Sequence, residues 1–387
     1  MINVDRFRNK KVTVIGLARS GLACANLLYD LGADVIVSDN QDTCATRLAS
    51  AKLKSKNIRV ELGRHTPGAI KGQDLIVVSP GVTNASPVVA WAQEFNIPLI
   101  SEIEVAWSLC PACIIAVTGS SGKTTVATLI GRTLEASGRR AFVCGNIGNP
   151  FCAEVASMSA EDFVSLEVSS FQLERIKDFK PRIAVMLNFS RNHLDRHKDM
   201  EEYLTAKKRI FMNQDKTDFL VLNGQEPLLK NLIPEAKAKV IYFYESEKLN
   251  PNQSAVLAVA SILGLDSKLC LKALAEFKGL EHRMEYVAEI DGIKFINDSK
   301  ATTLESTAWA LKNISSPVIL IAGGKDKGVD YGGIIQVGRE KIREVILIGQ
   351  AREKIEAALK NSLSVDGAAT LEEAVRKAFS KAKPGDS

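Results

Sequence analysis

No apolar run in the 387-residue chain approaches the roughly 18 residues that a membrane span needs. The opening residues, MINVDRFRNKK, lack the apolar stretch of a secretory leader. No block of lysine and arginine stands out, and 50 basic against 45 acidic residues leave a net charge of only +5. So small a surplus argues against a nucleic-acid binder. Low-complexity tracts and close internal repeats are missing as well. From these absences a cytoplasmic chain is expected, with neither membrane nor nucleic acid as a partner. Seven cysteines, an odd number in a long chain, suit free buried thiols better than a disulfide framework.

What is present is ordinary for a globular protein. Hydrophobic residues make up 46% and charged residues 25%, which excludes bulk disorder. Single cores stop growing at about 250–300 residues, so two or three domains are expected. The chain opens as βαβ. Val12–Ile15 is an apolar run, Gly16-Leu-Ala-Arg-Ser-Gly21 a turn, and Leu22, Ala25, Leu28 and Leu31 have helical spacing. Val35–Val37 is a second strand ending at Asp39, and Leu75–Val78 another, followed by Ser79-Pro80-Gly81. A parallel, Rossmann-like domain fits residues 1–108.

A second unit, 109–280, starts with a strand at Ile114–Val117, a loop at 118–122 and a helix at 123–137. Phe163–Val168, Ile183–Leu187 and Phe219–Leu222 continue the strands, and helices are expected at Ser254–Leu263 and Leu269–Phe277. A boundary falls near Gly279–Arg283. The third unit, 281–387, has strands around Ile293–Ile296, Val318–Ile321 and Val345–Ile348, with helices at 304–313 and 370–380. After that last helix the Pro384-Gly385 turn calls for one more strand, so the unit is expected to be incomplete.

The strongest chemical signal is Thr118-Gly-Ser-Ser-Gly-Lys-Thr-Thr125, between an apolar strand and an amphipathic helix. Glycines let backbone N–H groups approach a phosphate, and the helix N-terminus adds partial positive charge. Gly119, Ser120, Ser121, Gly122, Lys123, Thr124 and Thr125 therefore form a candidate ATP loop. Lys123 can reach the β- and γ-phosphates, and the Thr124 hydroxyl can bind Mg²⁺. Val117 replaces the first glycine of the longer form of this motif.

Other signals are weaker alone. Glu167 closes an apolar strand, where such a protein needs a metal ligand, but it equally suits a strand-end ion pair. His193 follows another apolar strand, with His197 four residues on; a metal site rich in oxygen ligands suits it better than zinc. Lys207, in Ala-Lys-Lys-Arg, reads by itself as part of a solvated basic face. Gly279–Met284, Asn297–Thr302 and Gly323–Gly328 each offer cations or hydroxyls in a loop beside a strand, which suits an anionic ligand. Cys110-Pro-Ala-Cys113 precedes a buried strand and not a helix, so it reads as structural. Gly16, Gly21 and Asp39 resemble a dinucleotide fingerprint with the wrong glycine spacing, a weak sign of NAD.

Taken in order, TGSSGKTT, EVSSFQLE, NHLDRH, TAKKRIF, LEHRME, NDSKAT and GGKDKG resemble the Mur ligases of peptidoglycan synthesis over nearly the whole chain. The resemblance implies a three-domain α/β architecture: a Rossmann-like N-terminal domain, a central P-loop ATPase domain with a parallel sheet, and a Rossmann-like C-terminal domain. It implies an ATP-dependent, amide-forming ligase that works through an acyl phosphate, as a monomer. The Ser-Ser-Phe-Gln segment favours the member that joins D-glutamate to UDP-N-acetylmuramoyl-L-alanine.

By the same resemblance Thr124 and Glu167 hold one Mg²⁺, while His193 and a carbamylated Lys207 hold a second; Lys123 clamps phosphate. Ser20, Asp39, Asn40, Ser79, Pro80, Gly81 and Asn146 face the UDP-sugar. Arg283, Asp298, Lys300, Thr302 and Lys327 close over ATP, acyl phosphate or amino acid, and Asn252 lies on the adenine side. The chain departs from the family at Asn192 (usually Asp), at Thr303 (usually Asn) and at Pro251–Ala255, where only Asn252 of a His-Asn-x-x-Asn segment survives. The stretch before Asn252 is also short, and the chain stops before the family's last segment, which grips the amino-acid carboxylate. Two other readings therefore stand beside the ligase: a binding module that has lost turnover, and an NAD-dependent oxidoreductase.

Overall fold

The computed structural model describes residues 4–194, 196–326 and 330–387. They fall into two compact units, Met1–Phe189 with Glu201–Glu276, and Ser190–Met200 with Phe277–Ser387. The break at Phe277 lies beside the expected boundary. The first two expected domains each have their own sheet but share one unit. Among the described residues no helix is long and apolar enough to cross a membrane.

The first sheet is built from β1 (Lys11–Ile15), α1 (Arg19–Asp30), β2 (Asp34–Asp39), α2 (Cys44–Ser50), β3 (Arg59–Leu62), β4 (Leu75–Val78), α3 (Pro87–Glu94), β5 (Leu99–Ser101) and α4 (Glu102–Leu109). Its strand order is β3-β2-β1-β4-β5, all parallel. Parallel strands are covered on both faces, which explains the nearly unbroken apolar runs that marked β1, β2 and β4. The turn after β1 depends on two close approaches. A Cβ on Gly16 would lie 3.0 Å from Ser79 Oγ, and one on Gly21 would lie 1.9 Å from the Gly16 carbonyl oxygen. Ser79 Oγ donates to that same carbonyl (3.2 Å), joining the turn after β1 to the one after β4.

The second sheet follows with β6 (Cys113–Thr118), α5 (Lys123–Ala136), β7 (Ala141–Gly145), α6 (Phe151–Glu154), β8 (Phe163–Glu167), α7 (Ser170–Leu173), β9 (Ile183–Met186), α8 (Met200–Lys208), β10 (Phe219–Asn223), α9 (Pro227–Lys230), β11 (Lys239–Phe243), α10 (Pro251–Ile262) and α11 (Ser267–Ala275). Its order is β11-β10-β9-β6-β8-β7, again all parallel. Strand β6 is therefore central, and the loop after it opens at the carboxyl edge, where open α/β sheets bind ligands. Helix α5 buries Val126, Leu129, Ile130 and Leu134. Gly131 lets it approach β7, since a Cβ there would sit 2.3 Å from Val143 Cγ2.

The second unit has a hairpin of β12 (Glu285–Ile290) and β13 (Ile293–Asn297), then α12 (Leu304–Asn313), β14 (Val318–Gly323), α13 (Gly333–Gly338), β15 (Ile342–Ile348), α14 (Arg352–Leu359), β16 (Val365–Gly367) and α15 (Leu371–Lys381). Strands β14, β15 and β16 form a parallel sheet around buried Val345, Ile346 and Leu347. After α15 no further strand is assigned among the described residues, and Ser387 makes two backbone bonds beside β14. Ser387 N–H donates to Pro317 O (2.9 Å), and Ile319 N–H donates to Ser387 O (2.9 Å) along the edge of β14.

Glu104 links the two sheets of the first unit. It is buried on α4, and its carboxylate accepts the backbone N–H groups of Lys177, Asp178 and Phe179 at 2.8, 2.8 and 3.0 Å. Trp107, one turn on, donates Nε1–H to Lys180 O (3.1 Å) and meets the Phe179 ring edge-on. Glu104→Ala leaves three inward-facing N–H groups without an acceptor, a cost of about 2–4 kcal/mol. Thermal unfolding should show a midpoint lower by about 4 °C or more, with Glu104→Gln between the two; an unchanged midpoint for Glu104→Ala would show the clamp to be dispensable.

Candidate active site

The loop between β6 and α5 carries the phosphate-binding pattern. Gly122 takes φ +78°, a left-handed conformation that favours glycine, and turns the chain into α5. Asn188, just past β9, braces the loop. Its Oδ1 accepts Ser121 N–H (2.9 Å), its Nδ2 donates to Ser121 O (3.2 Å), and its carbonyl accepts Ser120 N–H (3.3 Å). Asn252, in the first turn of α10, lies against the other side, with Oδ1 2.6 Å from where a Cβ on Gly122 would be. Lys123 Nζ is folded over the loop and donates to Gly119 O (2.9 Å) and Ser120 O (3.2 Å). Thr124 and Thr125 are half-buried in the first turn of α5.

Next to the loop, at the carboxyl end of β8, stands Glu167, 2% exposed. Asn146 Nδ2 donates to its Oε1 (2.6 Å), and Asn146 N–H donates to its main-chain oxygen (3.0 Å). Its Oε2 is buried and has no hydrogen-bond partner among the described residues. A carboxylate oxygen oriented inward without a donor suits a hard cation. No group of three His, Cys, Asp or Glu converges among the described residues, so an ion here would take hydroxyl, phosphate or carbamate oxygens beside Glu167.

Lys207 is the largest departure from the residue-level expectation. It was read as one lysine of a solvated face, yet it is 1% exposed. Its Nζ donates to Gly119 O (2.8 Å) and Thr118 Oγ1 (3.3 Å) and lies 4.8 Å from the centre of the Tyr203 ring. Burial pushes its pKa well below the usual lysine range. The charge of Lys123 adds to that shift, while Glu167 opposes it. The neutral amine so favoured is the form that attacks CO₂.

Of the N-terminal candidates, Ser79 is buried on the Gly16 turn, while Ser20 is half-buried at the start of α1. Pro80 and Gly81 follow Ser79 in that turn. Asp39 accepts Leu17 N–H at Oδ2 (2.7 Å) and Gln41 N–H at Oδ1 (2.9 Å), so both oxygens are engaged by its own loops; Asn40 beside it is exposed.

His193 lies in Ser190–Met200, which belongs to the second unit. It has φ +57°, and its N–H donates to buried Asn192 Oδ1 (2.9 Å). In the same unit Asp298 Oδ1 accepts Met284 N–H (3.1 Å), and burial raises its pKa. Arg283 Nε is buried without a hydrogen-bond partner among the described residues, which leaves a donor for an anionic ligand. Lys300 and Thr302 are exposed. Thr303, a departure from the family pattern, caps α12 by accepting Ser306 N–H (3.2 Å). Lys327 lies outside the described residues.

The CxxC cysteines are half-buried, and burial holds both thiols protonated, with Cys110 pushed up to about 11. Among the free cysteines four are buried, as expected, while Cys44 is exposed.

Sequence reasoning missed Asn188, the contact of Thr118 with Lys207 and the partners of Gln172. Gln172 caps Ser169 through Oε1 and donates Nε2–H to Glu102 (3.0 Å), whose carboxyl is raised by burial to about 7. A polar residue directly after a buried strand was the available signal for Asn188; nothing local marks Glu102.

A glycine loop at the central strand of a parallel sheet, a buried acid on the next strand and a buried lysine over the loop define a P-loop nucleotide-using α/β enzyme. Residues 10–101 match the MurD-like Mur ligase N-terminal domain, 117–262 the Mur ligase middle domain, and 282–387 the Mur ligase glutamate ligase domain. The chain belongs to the Mur ligase family, whose members use ATP. It is 37% identical over 415 residues to a UDP-N-acetylmuramoylalanine–D-glutamate ligase of Caldanaerobacter subterraneus, covering 98% of this chain and 92% of that one. It is 39% identical over 411 residues to the ligase of the same name from Geotalea uraniireducens, covering 97% and 91%. Two solved structures share the fold. UDP-N-acetylmuramate-alanine ligase of Thermotoga maritima has a TM-score of 0.63 at 19% identity, over 97% of this chain and 94% of that one. A pseudomurein peptide ligase of Methanothermus fervidus has 0.59 at 21%, over 98% and 96%.

Lys123→Ala should reduce turnover by about 10²–10³-fold at saturating ATP, the usual loss for a preorganised cation directed at a charged transition state. The check is a steady-state assay with circular dichroism confirming the fold; activity within a factor of about three of the parent would remove the lysine from phosphoryl transfer.

Proposed function

We propose that the chain joins D-glutamate to UDP-N-acetylmuramoyl-L-alanine at the expense of ATP, in the cytoplasmic synthesis of peptidoglycan precursors. The observation that carries this reading is the buried Lys207 amine on the phosphate loop, with the unpartnered oxygen of Glu167 on the next strand. An oxidoreductase has no use for that pair, and Asp39, which a dinucleotide site would direct at a ribose, is engaged by Leu17 and Gln41.

The reaction needs a carboxylate turned into an electrophile. The sugar-linked alanine carboxylate attacks the γ-phosphorus, the bond to the bridging oxygen of ADP breaks, and an acyl phosphate forms. The D-glutamate amine then adds to the acyl carbon, loses a proton, and phosphate departs with the electrons of its C–O bond. Loop N–H groups and the Lys123 ammonium neutralise the three equatorial oxygens of the transferring group. Lys123 must leave its resting bonds to Gly119 O and Ser120 O, which a phosphate oxygen replaces. Thr124 and Glu167 would hold one Mg²⁺, and the carbamate of Lys207 a second; bound there, the ions supply further positive charge to the phosphates. His193, Arg283, Asp298, Lys300 and Lys327 keep the roles the family resemblance gives them.

Phosphate release should require both the UDP-sugar and D-glutamate, with the amide product formed in equal amount. Hydrolysis of ATP at full rate without D-glutamate, or binding of both substrates with no product, would favour a module that has lost ligation. A second test concerns Lys207. Carbon-13 bicarbonate should give a carbamate resonance in the wild type and none in Lys207→Arg, and turnover should fall as bicarbonate is stripped. No resonance, and no response to bicarbonate, would leave Lys207 as a structural lysine.

A further inference from the structure

The phosphate loop has two flanks along the carboxyl edge of the second sheet. Toward β8 and β7 stand Glu167 and Asn146, the acidic and metal-suited side. Toward β9, β10 and β11 stand Asn188 and Asn252, the two amides that brace the loop. A nucleoside triphosphate placed with its terminal phosphate toward Glu167 directs its base to that second side. Three strand spacings separate β6 from β11, about 14 Å, a length that a bound nucleotide covers.

On that flank of the sheet an aromatic side chain is left half open to solvent. Tyr244 directly follows β11 and is 51% exposed; among the described residues of the first unit no other aromatic side chain is so open. Exposure of a large ring is informative because burying it is favourable. The ring is nevertheless held. A Cβ on Gly224, just after β10, would lie 2.3 Å from Tyr244 Cε1 and Cζ, so the ring rests on bare backbone. The Tyr242 ring is 6.3 Å away, centre to centre, at 44°. Gly224 N–H donates to Phe243 O (2.9 Å), and Glu245 N–H donates to Gln225 Oε1 (2.9 Å), so the turns after β10 and β11 are joined.

The connection onward is short and closed. Ser246 N–H donates to Leu249 O (3.0 Å), Asn250 caps α10 through Gln253 N–H (3.0 Å), and Asn252 reaches Gly122. One turn therefore links the exposed ring to the phosphate loop. We propose that Tyr244 is the base-stacking residue of the nucleotide site, its free face receiving the purine of ATP while Gly224 supports the other. The proposal rests on the ATP-dependent reading above and adds to it the residue that recognises the base.

The test compares ATP with inorganic tripolyphosphate, which has the phosphates and no base, by calorimetry on the full chain with Mg²⁺. Tyr244→Ala should weaken ATP by about 5- to 100-fold, the range for losing one aromatic partner of a base, and leave tripolyphosphate within about twofold. Tyr244→Phe should bind both ligands as the wild type does, because the ring and not the hydroxyl stacks. In turnover, Tyr244→Ala should raise the KM for ATP with kcat nearly unchanged. Gly224→Ala, which displaces the ring from beneath, should show the same base-dependent loss. Unchanged ATP binding in Tyr244→Ala, or equal loss of both ligands, would overturn the stacking role. A wild type that binds neither ligand would overturn the nucleotide reading itself, an outcome the Tyr244 variants cannot imitate.

Discussion

A lysine amine can remain in a dry interior only where it finds acceptors and can give up its charge. Lys207 meets both conditions at the phosphate loop, on Gly119 O and Thr118 Oγ1, with Tyr203 beneath it. Taking an ammonium out of water costs several kcal/mol, roughly, even after relaxation, so the neutral amine is favoured. The same burial that depresses its basicity keeps the amine nucleophilic. The loop, the acid on the next strand and the lysine on α8 are thus one electrostatic arrangement. Gly119 O takes both lysines, Lys123 at 2.9 Å and Lys207 at 2.8 Å, so a shift of that one carbonyl disturbs the two cations together.

Around this arrangement the backbone approaches closely at a few points that side chains could not tolerate. A Cβ on Gly145 would lie 2.4 Å from the Glu167 carbonyl oxygen, and Gly145 brings β7 close enough for Asn146 to hold the acid. Gly122 and Asn252 do the same for the loop and α10. In the first sheet Gly16, Gly21 and Ser79 form an equivalent contact, which explains the altered glycine spacing. The glycines serve packing between a turn, a helix and a serine, and Asp39 closes the loop from the other side.

The fold was largely legible because its strands are parallel and buried. β1, β2, β4, β6, β8, β9, β10, β14 and β15 read as apolar runs bounded by glycine or polar turns. Those outside the sequence reading, β3 (RVEL), β5 (LIS), β7 (AFVCG), β11 (KVIYF) and β16 (VDG), are all edge strands; β3, β5 and β16 have mixed or very short sequences, whereas β7 and β11 are apolar and were simply missed. The exposed hairpin strand β12 alternates too weakly to stand out.

For the site, the division follows the range of the forces. The sequence alone determined the phosphate loop, because a strand, two glycines, a lysine and a helix start are all local, and backbone sterics with the helix dipole act within a few residues. It also determined the family, through motifs preserved in order. Only the tertiary structure decided what Lys207 and Glu167 are. Both are charged residues in ordinary surroundings along the chain, yet both are buried by residues far away in sequence, and for Lys207 that desolvation lowers the basicity of the amine. Asn188, Asn252 and Tyr244 gain their meaning in the same way, since a parallel sheet gathers the carboxyl ends of distant strands onto one edge and no local pattern records which ends will be neighbours.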